Sequence, residues 1–537
     1  MKSNLKRITV LIFVFMFLTA CGEQGKQAED ITNEAVEVKE KINIEDATEI
    51  ILSDESILVE GNEISKVDTD GVYRANDIIY YETGHDFTYG EGTAEEAHTE
   101  SQAKQHTVVH ITEPGMYSLT GKLSKGQIAI DLGEEVDDDP NAVVTLVLNN
   151  VDINCDVAPA VIFYNVYECG SKEEADATND VDTTKAGANV YIMNSTENNI
   201  TGSHVARIYE SYELNEEGIE VVDSKKLHKY DAAFYSKMTM NVDGAENTTG
   251  VLNIDADNEG LDSELHLTIN GGNINISSGN DGINTNEDGI SVTTINGGSV
   301  NIHVTGTTGE GDGIDSNGWL VINGGTVVAE ACGTSGDAGI DSDMGIHING
   351  GNVIATGNML DHISESKQNY VVMNFSEAQK EGSTYTLKND KDEVVATLTP
   401  MNKFSYLILS NENTVEGIYT FWQDNTQLAG SSGQMLGGGM MKPEDGEMPE
   451  EMEAPENGEM LEGMERPAMP EGMEPPEKPT DEKRPQDGQG GFGNRGEIPE
   501  GIERPEMPEK MELSKGFAIS SNGNYYSNVS VIPDESN

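Results

Sequence analysis

Positive charge is scarce in this sequence. The chain has 32 Lys and Arg residues against 96 Asp and Glu residues, which gives a formal net charge of −64. Between residues 238 and 366 there is no Lys and no Arg at all. Nucleic acid is a disfavoured partner, because binding it requires a basic surface. An anionic membrane or an acidic polysaccharide would also be repelled, unless a divalent cation bridges the two.

Cysteine and long apolar runs are scarce as well. The four Cys residues show no Cys-x-x-Cys spacing, which argues against a zinc or redox site. Cys155 and Cys169 are a candidate disulfide pair of an exported protein, and Cys332 is expected as a buried thiol. The apolar run Ile8 to Leu18 is too short for an ordinary membrane span.

That apolar run belongs to a segment with the features of an export signal. Basic residues precede it, and Leu18-Thr19-Ala20-Cys21-Gly22 follows it, in an order that resembles a bacterial lipobox. We expect residues 1–21 to be a lipoprotein signal segment, with lipidation at Cys21, and residues 22–47 to be a flexible tether. The protein would then lie outside the cytoplasmic membrane, held at the cell surface by lipid alone.

A repeat organises the centre of the chain. The tetrapeptide Ile-Asn-Gly-Gly occurs at spacings of 26, 27 and 26 residues, at 269–272, 295–298, 322–325 and 348–351. Short alternating runs follow each copy, and no helical pattern is present, which is typical of a β-solenoid. A leucine-rich repeat has a similar period, but its helix-forming half is missing here.

These repeats predict an all-β fold, a parallel β-helix with a small C-terminal β module. A single repeat cannot bury its own apolar face, so the repeats must stack. The predicted inward residues are Ile254, Leu261, Leu267, Ile269, Ile274, Ile276, Ile283, Ile295, Val300, Ile302, Ile314, Leu320, Ile322, Val327, Ile340, Ile346, Ile348 and Val353.

The composition predicts further boundaries. The parallel β-helix domain is expected over residues 48–366. The C-terminal β module is expected over residues 367–428 and 515–537. Residues 429–514 are rich in Met, Pro, Glu and Gly, so we expect a disordered insert there, because such a segment buries too little apolar surface to offset its ordering entropy. A monomer is expected.

An acidic Gly turn precedes each copy of the tetrapeptide. Stacking would place equivalent carboxylates about 5 Å apart, where like charges disfavour ionisation unless cations bind. Oxygen ligands at close range suit Ca²⁺, although Asp-Gly and Asn-Gly also simply form tight turns. The predicted calcium ligands are Glu259, Asp262, Asp281, Asn284, Asp312, Asp315, Asp337, Asp341 and Asp343.

The ordered set of motifs resembles a known family. Residues 114–123 and 126–128, the run 146–153 and the Asp-Gly-Ile-Asp…Ile-Asn-Gly-Gly repeats are similar to bacterial carbohydrate-binding domain-containing proteins of clostridial type. The resemblance implies an exported, calcium-binding, right-handed parallel β-helix, related in architecture to pectate lyases, that binds acidic sugars such as polygalacturonate (pectin). Asn284 departs from the repeated Asp of this pattern.

A non-catalytic binding module is the favoured function, and no catalytic residue is assigned. A lyase of this shape takes Arg or Lys as its base, and residues 238–366 have neither. An inverting hydrolase needs two carboxyl groups roughly 6.5–9.5 Å apart, and Asp is plentiful enough to supply them. A purely structural adhesin is the third alternative. His303, Trp319 and His347 are the candidate sugar-contacting residues, because they lie beside the repeated turns.

Overall fold

Strands account for nearly all of the regular structure. The computed structural model describes residues 40–84, 97–205, 208–215, 221–432, 513–521 and 523–531. Within them, helix is limited to α1 (Glu100–Ala103) and two 3₁₀ turns, Ile44–Asp46 and Glu174–Asp176. The remaining elements form large sheets. The prediction of an all-β chain is confirmed.

The described residues contain 37 strands. Those before the repeats are β1 (Thr48–Leu52), β2 (Leu58–Val59), β3 (Asn62–Glu63), β4 (Val72–Ala75), β5 (Thr107–Ile111), β6 (Gly115–Leu123), β7 (Gly126–Asp131), β8 (Val144–Asn154), β9 (Val161–Asn165), β10 (Ala188–Ile192), β11 (Glu197–Gly202), β12 (Ile208–Leu214), β13 (Val221–His228), β14 (Ala232–Ser236), β15 (Met240–Gly244) and β16 (Val251–Ala256). Those of the repeats are β17 (Glu259–Ser263), β18 (Leu267–Ile269), β19 (Asn273–Ser278), β20 (Ile283–Thr285), β21 (Val292–Ile295), β22 (Ser299–Val304), β23 (Ile314–Ser316), β24 (Trp319–Ile322), β25 (Thr326–Glu330), β26 (Gly345–Ile348), β27 (Asn352–Gly357) and β28 (Ile363–Ser366). Those that follow are β29 (Tyr370–Gln379), β30 (Tyr385–Asn389), β31 (Val394–Leu398), β32 (Phe404–Ser410), β33 (Gly417–Gln423), β34 (Thr426–Gln427), β35 (Ala429–Ser432), β36 (Phe517–Ile519) and β37 (Gly523–Ser530).

Most of these strands pair in three parallel ladders. The first ladder is β1-β6-β8-β10-β15-β18-β21-β24-β26-β28. The second ladder is β8-β11-β16-β19-β22-β25-β27. The third ladder is β5-β7-β9-β14-β17-β20-β23. From residue 232 to residue 330, each turn of the chain gives one strand to each ladder, so equivalent residues of successive turns are neighbours.

The Ile-Asn-Gly-Gly tetrapeptide forms the corner between the first and second ladders. Its Ile ends a strand of the first ladder, and a strand of the second ladder begins directly after its second Gly. That second Gly has a φ angle in the left-handed region, which favours glycine. The values are +92° at Gly272, +82° at Gly298, +80° at Gly325 and +89° at Gly351.

The Asn of each tetrapeptide stabilises the same corner. From the second copy onwards, its side-chain amide donates a hydrogen bond to the amide oxygen of the equivalent Asn in the preceding turn. The donor–acceptor distances are 2.9 Å from Asn296 to Asn270, 2.9 Å from Asn323 to Asn296 and 2.8 Å from Asn349 to Asn323. The tetrapeptide therefore combines a turn that Gly permits with a hydrogen-bonded stack that Asn provides.

The space between the ladders is filled by the aliphatic residues that the repeat pattern predicts. Each of the predicted inward residues, from Ile254 to Val353, is exposed by 3% or less. They belong to one continuous core that runs from the first strand of the chain to the end of the repeats. This part of the sequence prediction is confirmed.

The strands after the repeats build a second core. β32 pairs antiparallel with both β27 and β29, so it covers the free edge of the second ladder. β30, β31, β33, β34 and β36 form a five-stranded sheet. β36 pairs with β33, and β37 pairs with β29 and β35, so strands on both sides of the predicted insert lie together. A separate apolar cluster joins these elements.

Several predictions about the chain's ends and thiols have different outcomes. Cys155 and Cys169 are free thiols, so the candidate disulfide is not formed in this structure. Cys332 is buried as predicted. The predicted signal segment with Cys21, and residues 433–512 of the predicted insert, lie outside the described residues. Among the residues that are described, no helix is long and apolar enough to cross a membrane.

The corner geometry leads to a stability prediction. In Gly298→Ala the new Cβ would lie 2.5 Å from the carbonyl oxygen of Gly272, at a φ angle of +82°. We expect the free energy of unfolding to fall by about 1–3 kcal/mol, as measured by urea denaturation. Gly336→Ala is the matched control, since no heavy atom lies within 4 Å of its new Cβ. Equal losses in the two variants would contradict the assigned role of the corner.

Candidate functional site

The acidic turns form two rows along the third ladder. The first acidic row contains Asp262, Asn284 and Asp315, which are direct register partners in β17, β20 and β23. Asp341 continues it, because its backbone N–H donates to the carbonyl oxygen of Ile314 at 2.8 Å. The spacing of the sequence repeat thus brings these side chains into one line.

The second acidic row contains Glu259, Asp281 and Asp312, each directly before the Gly of its turn. Asp281 Oδ1 accepts the backbone N–H of Asp312 at 2.6 Å, and Asp312 Oδ1 accepts that of Ala338 at 2.5 Å. These bonds join successive turns and give the side chains a structural role as well. Each carboxylate still has a second oxygen for another partner.

Asp337 stands one residue away from the second row. The carbonyl oxygen of Asp312 accepts a hydrogen bond from the N–H of Gly282 in the preceding turn. One turn later, the carbonyl oxygen of Ala338 accepts the N–H of Gly313 at 3.0 Å, so Ala338 occupies the position equivalent to Asp312. Asp337 Oδ2 instead accepts the backbone N–H of Gly311 at 2.7 Å. The turn at this point has Ala where the earlier turns have an acid, so the row ends one turn early.

The beginning of the first row is deeply buried. Asp262 is fully buried, and Asn284 is exposed by 7%. Asp262 Oδ1 accepts a hydrogen bond from Asn286 Nδ2 at 2.6 Å, but Asp262 Oδ2 and Asn284 Oδ1 have no hydrogen-bond partner. A buried oxygen without a partner costs free energy, so this end of the row is suited to a further donor or cation.

The carboxyl groups of both rows resist ionisation. Burial, followed by the charge of Asp281, raises the pKa of Asp312 to about 9. Burial and the charge of Asp315 raise the pKa of Asp281 to about 8. The pKa of Asp315 rises to about 7, through burial and the charges of Asp341 and Asp343. Each shift has a like charge among its causes, as the stacking predicts.

The later end of the first row contains an acid that the repeat pattern did not predict. Asp361 is half-buried, its Oδ2 has no hydrogen-bond partner, and burial raises its pKa to about 6. Its charge is the largest electrostatic cause of the raised pKa, about 6, of Asp341. Asp343, also near, is exposed. Asp361 lies outside the Gly-Ile-Asp pattern, so the repeat did not indicate it. The sequence signal that remained was its position in the stretch without Lys or Arg.

These shifts predict a pH dependence of stability. A carboxyl group whose pKa is higher in the folded chain than in the unfolded chain binds its proton more tightly when folded. Without added metal, the free energy of unfolding should therefore fall as the pH rises from about 4 to about 9. Chemical denaturation across this range measures the slope.

A variant tests the origin of this slope. Asp312→Asn should reduce it, because the amide keeps the oxygen that accepts the Ala338 N–H and cannot ionise. Asp138→Asn, an exposed position, serves as the control and should leave the slope unchanged. A slope that is identical in wild type and Asp312→Asn would show that the rows do not cause it.

The three candidate sugar-contacting residues lie away from the acidic rows. Trp319 (β24) and His347 (β26) belong to the first ladder and His303 (β22) to the second, whereas the rows lie along the third. Trp319 is half-buried. His347 Nε2 lies 3.3 Å from Asn179 Nδ2, and its Nδ1 lies 3.5 Å from Glu365. Burial lowers the pKa of His303, whose Nδ1 has no hydrogen-bond partner.

The donor set of the rows fits a hard cation. Carboxylate and amide oxygens supply it, two deeply buried ones lack partners, and residues 238–366 contain no Lys or Arg. As placed, no group of three or more His, Cys, Asp and Glu side chains in the described part of the chain is arranged to hold a metal ion. Calcium would also use amide and backbone oxygens, which the rows offer in addition.

The family of the chain follows from a comparison with known proteins. The model of the carbohydrate-binding domain-containing protein family matches residues 105–399, which is more than half of the chain. The chain belongs to this family. The matched range includes both acidic rows and every strand of the three ladders except β1. Family membership implies a carbohydrate ligand.

One solved structure is similar to the chain at low identity. It is the gadolinium derivative of the polysaccharide lyase-like protein from C. thermocellum. The sequence identity is 18%, the match covers 60% of this chain and 97% of that chain, and the TM-score is 0.33. At this score the likeness does not bear on the site. A comparison with curated proteins gives no match.

Proposed function

We propose that this carbohydrate-binding domain binds acidic polysaccharide, with polygalacturonate as the reference ligand, through calcium held by the acidic rows. The observation that carries the proposal is a line of stacked carboxylates without a Lys or Arg in the repeats to neutralise it. Burial and the charges of neighbouring carboxylates raise the pKa values of its members, and no Lys or Arg of the repeats opposes these rises. A divalent cation is the partner that removes this deficit.

Calcium has two roles in this proposal. Within the protein it neutralises the rows, with Asp315, Asp341, Asp343 and Asp361 as the ligands at the later end. Towards the ligand it bridges protein carboxylates to sugar carboxylates, which a chain of net charge −64 would otherwise repel. Metal-free protein should then bind no acidic glycan.

The winding of the chain and its handedness are part of the same proposal. We infer that the turns wind as a right-handed parallel β-helix, and the three parallel ladders support this. A long face of regular spacing suits a linear polymer, because successive sugar residues meet equivalent protein positions. An experimental structure would establish the hand of the winding.

The location is inferred from the export signal. We propose a monomer at the outer face of the cytoplasmic membrane, attached through lipid on Cys21. Labelling with a radioactive fatty acid tests this, because Cys21→Ser should lose both the label and the membrane association. Label that persists in Cys21→Ser would overturn the assignment.

The deciding experiment combines calorimetry and an ultraviolet assay. Calcium is titrated into chelated protein, polygalacturonate is then added, and unsaturated product is followed by absorbance. Calcium-dependent binding without product is the expected result. Binding that persists in chelator, or a chain that takes up no calcium, would overturn the proposal.

Enzymatic cleavage is the alternative function, and the carboxyl groups favour one form of it. At neutral pH, Asp312 with a pKa of about 9 is protonated, whereas Asp341 with a pKa of about 6 is mainly ionised. A protonated acid and an ionised base are what an inverting hydrolase requires. Release of reducing ends from polygalacturonate would identify it, and unsaturated product would identify a lyase.

A further inference from the structure

One ammonium group lies at the buried beginning of the first acidic row. Lys229 directly follows β13, and its Nζ donates to the side-chain oxygen of Asn286 at 3.3 Å and to the backbone oxygen of Asn286 at 3.4 Å. Asn286 in turn donates to Asp262 Oδ1 at 2.6 Å. A single amide therefore connects the ammonium group to the fully buried carboxylate.

Oxygen-bearing side chains converge on this point. Asn284 Nδ2 donates to Glu259 Oε1 at 3.3 Å and to Asn286 Oδ1 at 3.4 Å. Two oxygens of the group, Asp262 Oδ2 and Asn284 Oδ1, are buried without a hydrogen-bond partner. Their residues are exposed by 0% and 7% respectively, so bulk water does not satisfy them.

The charge of Lys229 already acts on these acids. Burial raises the pKa of Asp262 and of Glu264, the neighbouring acids add to the rise, and the charge of Lys229 opposes it. Further along the row no Lys or Arg occurs up to residue 366. In the described part of the chain the two ends of the row therefore differ, because Lys229 lies at the beginning and no Lys or Arg is among the charges that shift the pKa of Asp315 or Asp341 at the later end.

We propose that the Lys229 ammonium occupies a cation site at the beginning of the row, formed by Glu259, Asp262, Asn284 and Asn286, and that removing it opens this site to calcium. The inference rests on the proposed function, in which calcium serves the later end of the row. It assigns to Lys229 the role of a built-in monovalent cation that sets how many calcium ions the chain takes.

The oxygen atoms of this site suit a doubly charged calcium ion better than an ammonium group. Calcium takes six to eight oxygen ligands at about 2.3–2.6 Å, from carboxylates, amide carbonyls and backbone carbonyls. The group around Asn286 offers all three kinds. An ammonium group donates at most three hydrogen bonds. It therefore leaves part of this oxygen set unsatisfied, as the two oxygens without partners show.

The test counts calcium ions. Wild-type protein and Lys229→Met are folded with calcium, freed of excess by gel filtration and measured by atomic emission, and calorimetry on chelated samples gives the affinities. Met keeps much of the apolar stem and lacks the charge. We expect one more calcium ion per chain in Lys229→Met, and a larger rise of its melting temperature on calcium addition.

Three variants control the result. Lys229→Arg keeps the charge and should keep the wild-type number of ions, and Lys237→Met removes an exposed charge nearby and should do the same. Lys229→Met combined with Asp262→Asn should lose the gained ion alone. An equal ion count of one or more in wild type and Lys229→Met would overturn the inference and leave the proposed function intact.

The two proposals fail in different ways. If wild type binds no calcium, the proposed function is wrong, whatever Lys229→Met does. If Lys229→Met then binds one ion, the site at Asp262 stands by itself. If neither protein binds calcium, both proposals are overturned.

Discussion

Replacing Asp315 and Asp341 together by Asn should stabilise the calcium-free protein and abolish its response to calcium. The pKa values of the two groups rise to about 7 and about 6 because burial and neighbouring carboxylates oppose their charge. At pH 8 both groups are ionised, so neutral Asn side chains relieve repulsion. We expect a gain of about 1–2 kcal/mol in the free energy of unfolding without metal.

The same variant should lose calcium binding. Affinity for calcium depends on the number of charged ligands, so removing two carboxylates should weaken binding about 100-fold or more. A ligand present at 100 times its dissociation constant stabilises the folded chain by about 2.7 kcal/mol, and this increment should disappear. Polygalacturonate affinity should fall with it.

The opposite signs of the two effects make this prediction specific. Denaturation with calcium and with chelator gives both effects from one set of samples. A matched control changes Asp138 and Asp390 to Asn, which alters the net charge equally at exposed positions outside the rows. Loss of stability in chelator, or an unchanged calcium response, would contradict a cation-binding role for this end of the row.

Ile322→Ala should destabilise the fold by about 2–5 kcal/mol. Ile322 is fully buried and lies in register between Ile295 in the preceding turn and Ile348 in the following turn. Truncation leaves a cavity that its neighbours cannot fill, because the ladder hydrogen bonds fix the distance between turns. Each turn contacts mainly the turns beside it. Truncation of Ile322 therefore also weakens the coupling between the turns before it and the turns after it.

Urea denaturation followed by circular dichroism measures this loss. A broader transition, or a transition in two steps, would accompany the shift if the stack separates at the weakened turn. Ile418→Ala is the control, since Ile418 is 53% exposed and its truncation should cost little. A loss below about 1 kcal/mol at position 322 would mean that the core does not depend on continuous stacking.

The local features of the fold were predictable because the repeat encodes them directly. Ile-Asn-Gly-Gly specifies an inward Ile, an Asn that bonds to the same Asn one turn away, and a Gly at a left-handed φ angle. All three properties depend on a few adjacent residues and on the fixed period. The inward residues and the line of Asp262, Asn284 and Asp315 followed from that period.

The site was predictable only where it obeys the repeat. Asp361 was missed because the last turn is shorter and places it beside Asp341 without the Gly-Ile-Asp motif. Asp337 is a predicted calcium ligand, but the register places Ala338, one residue later, at the position that Asp312 has in the second row. A period predicts equivalent positions, and it has no information on the turns that depart from it.

The sequence by itself determined the all-β class, the inward residues, the corners and the excess of negative charge in the repeats. Tertiary structure alone decided which side chains meet outside the register of the repeats. It brings Lys229 to Asn286, 57 positions apart, and it distributes His303, Trp319 and His347 over two ladders away from the acidic rows. The physical reason is that stacking fixes neighbours within a ladder, whereas contacts made by loops and by the ends of the repeat depend on where the whole chain passes.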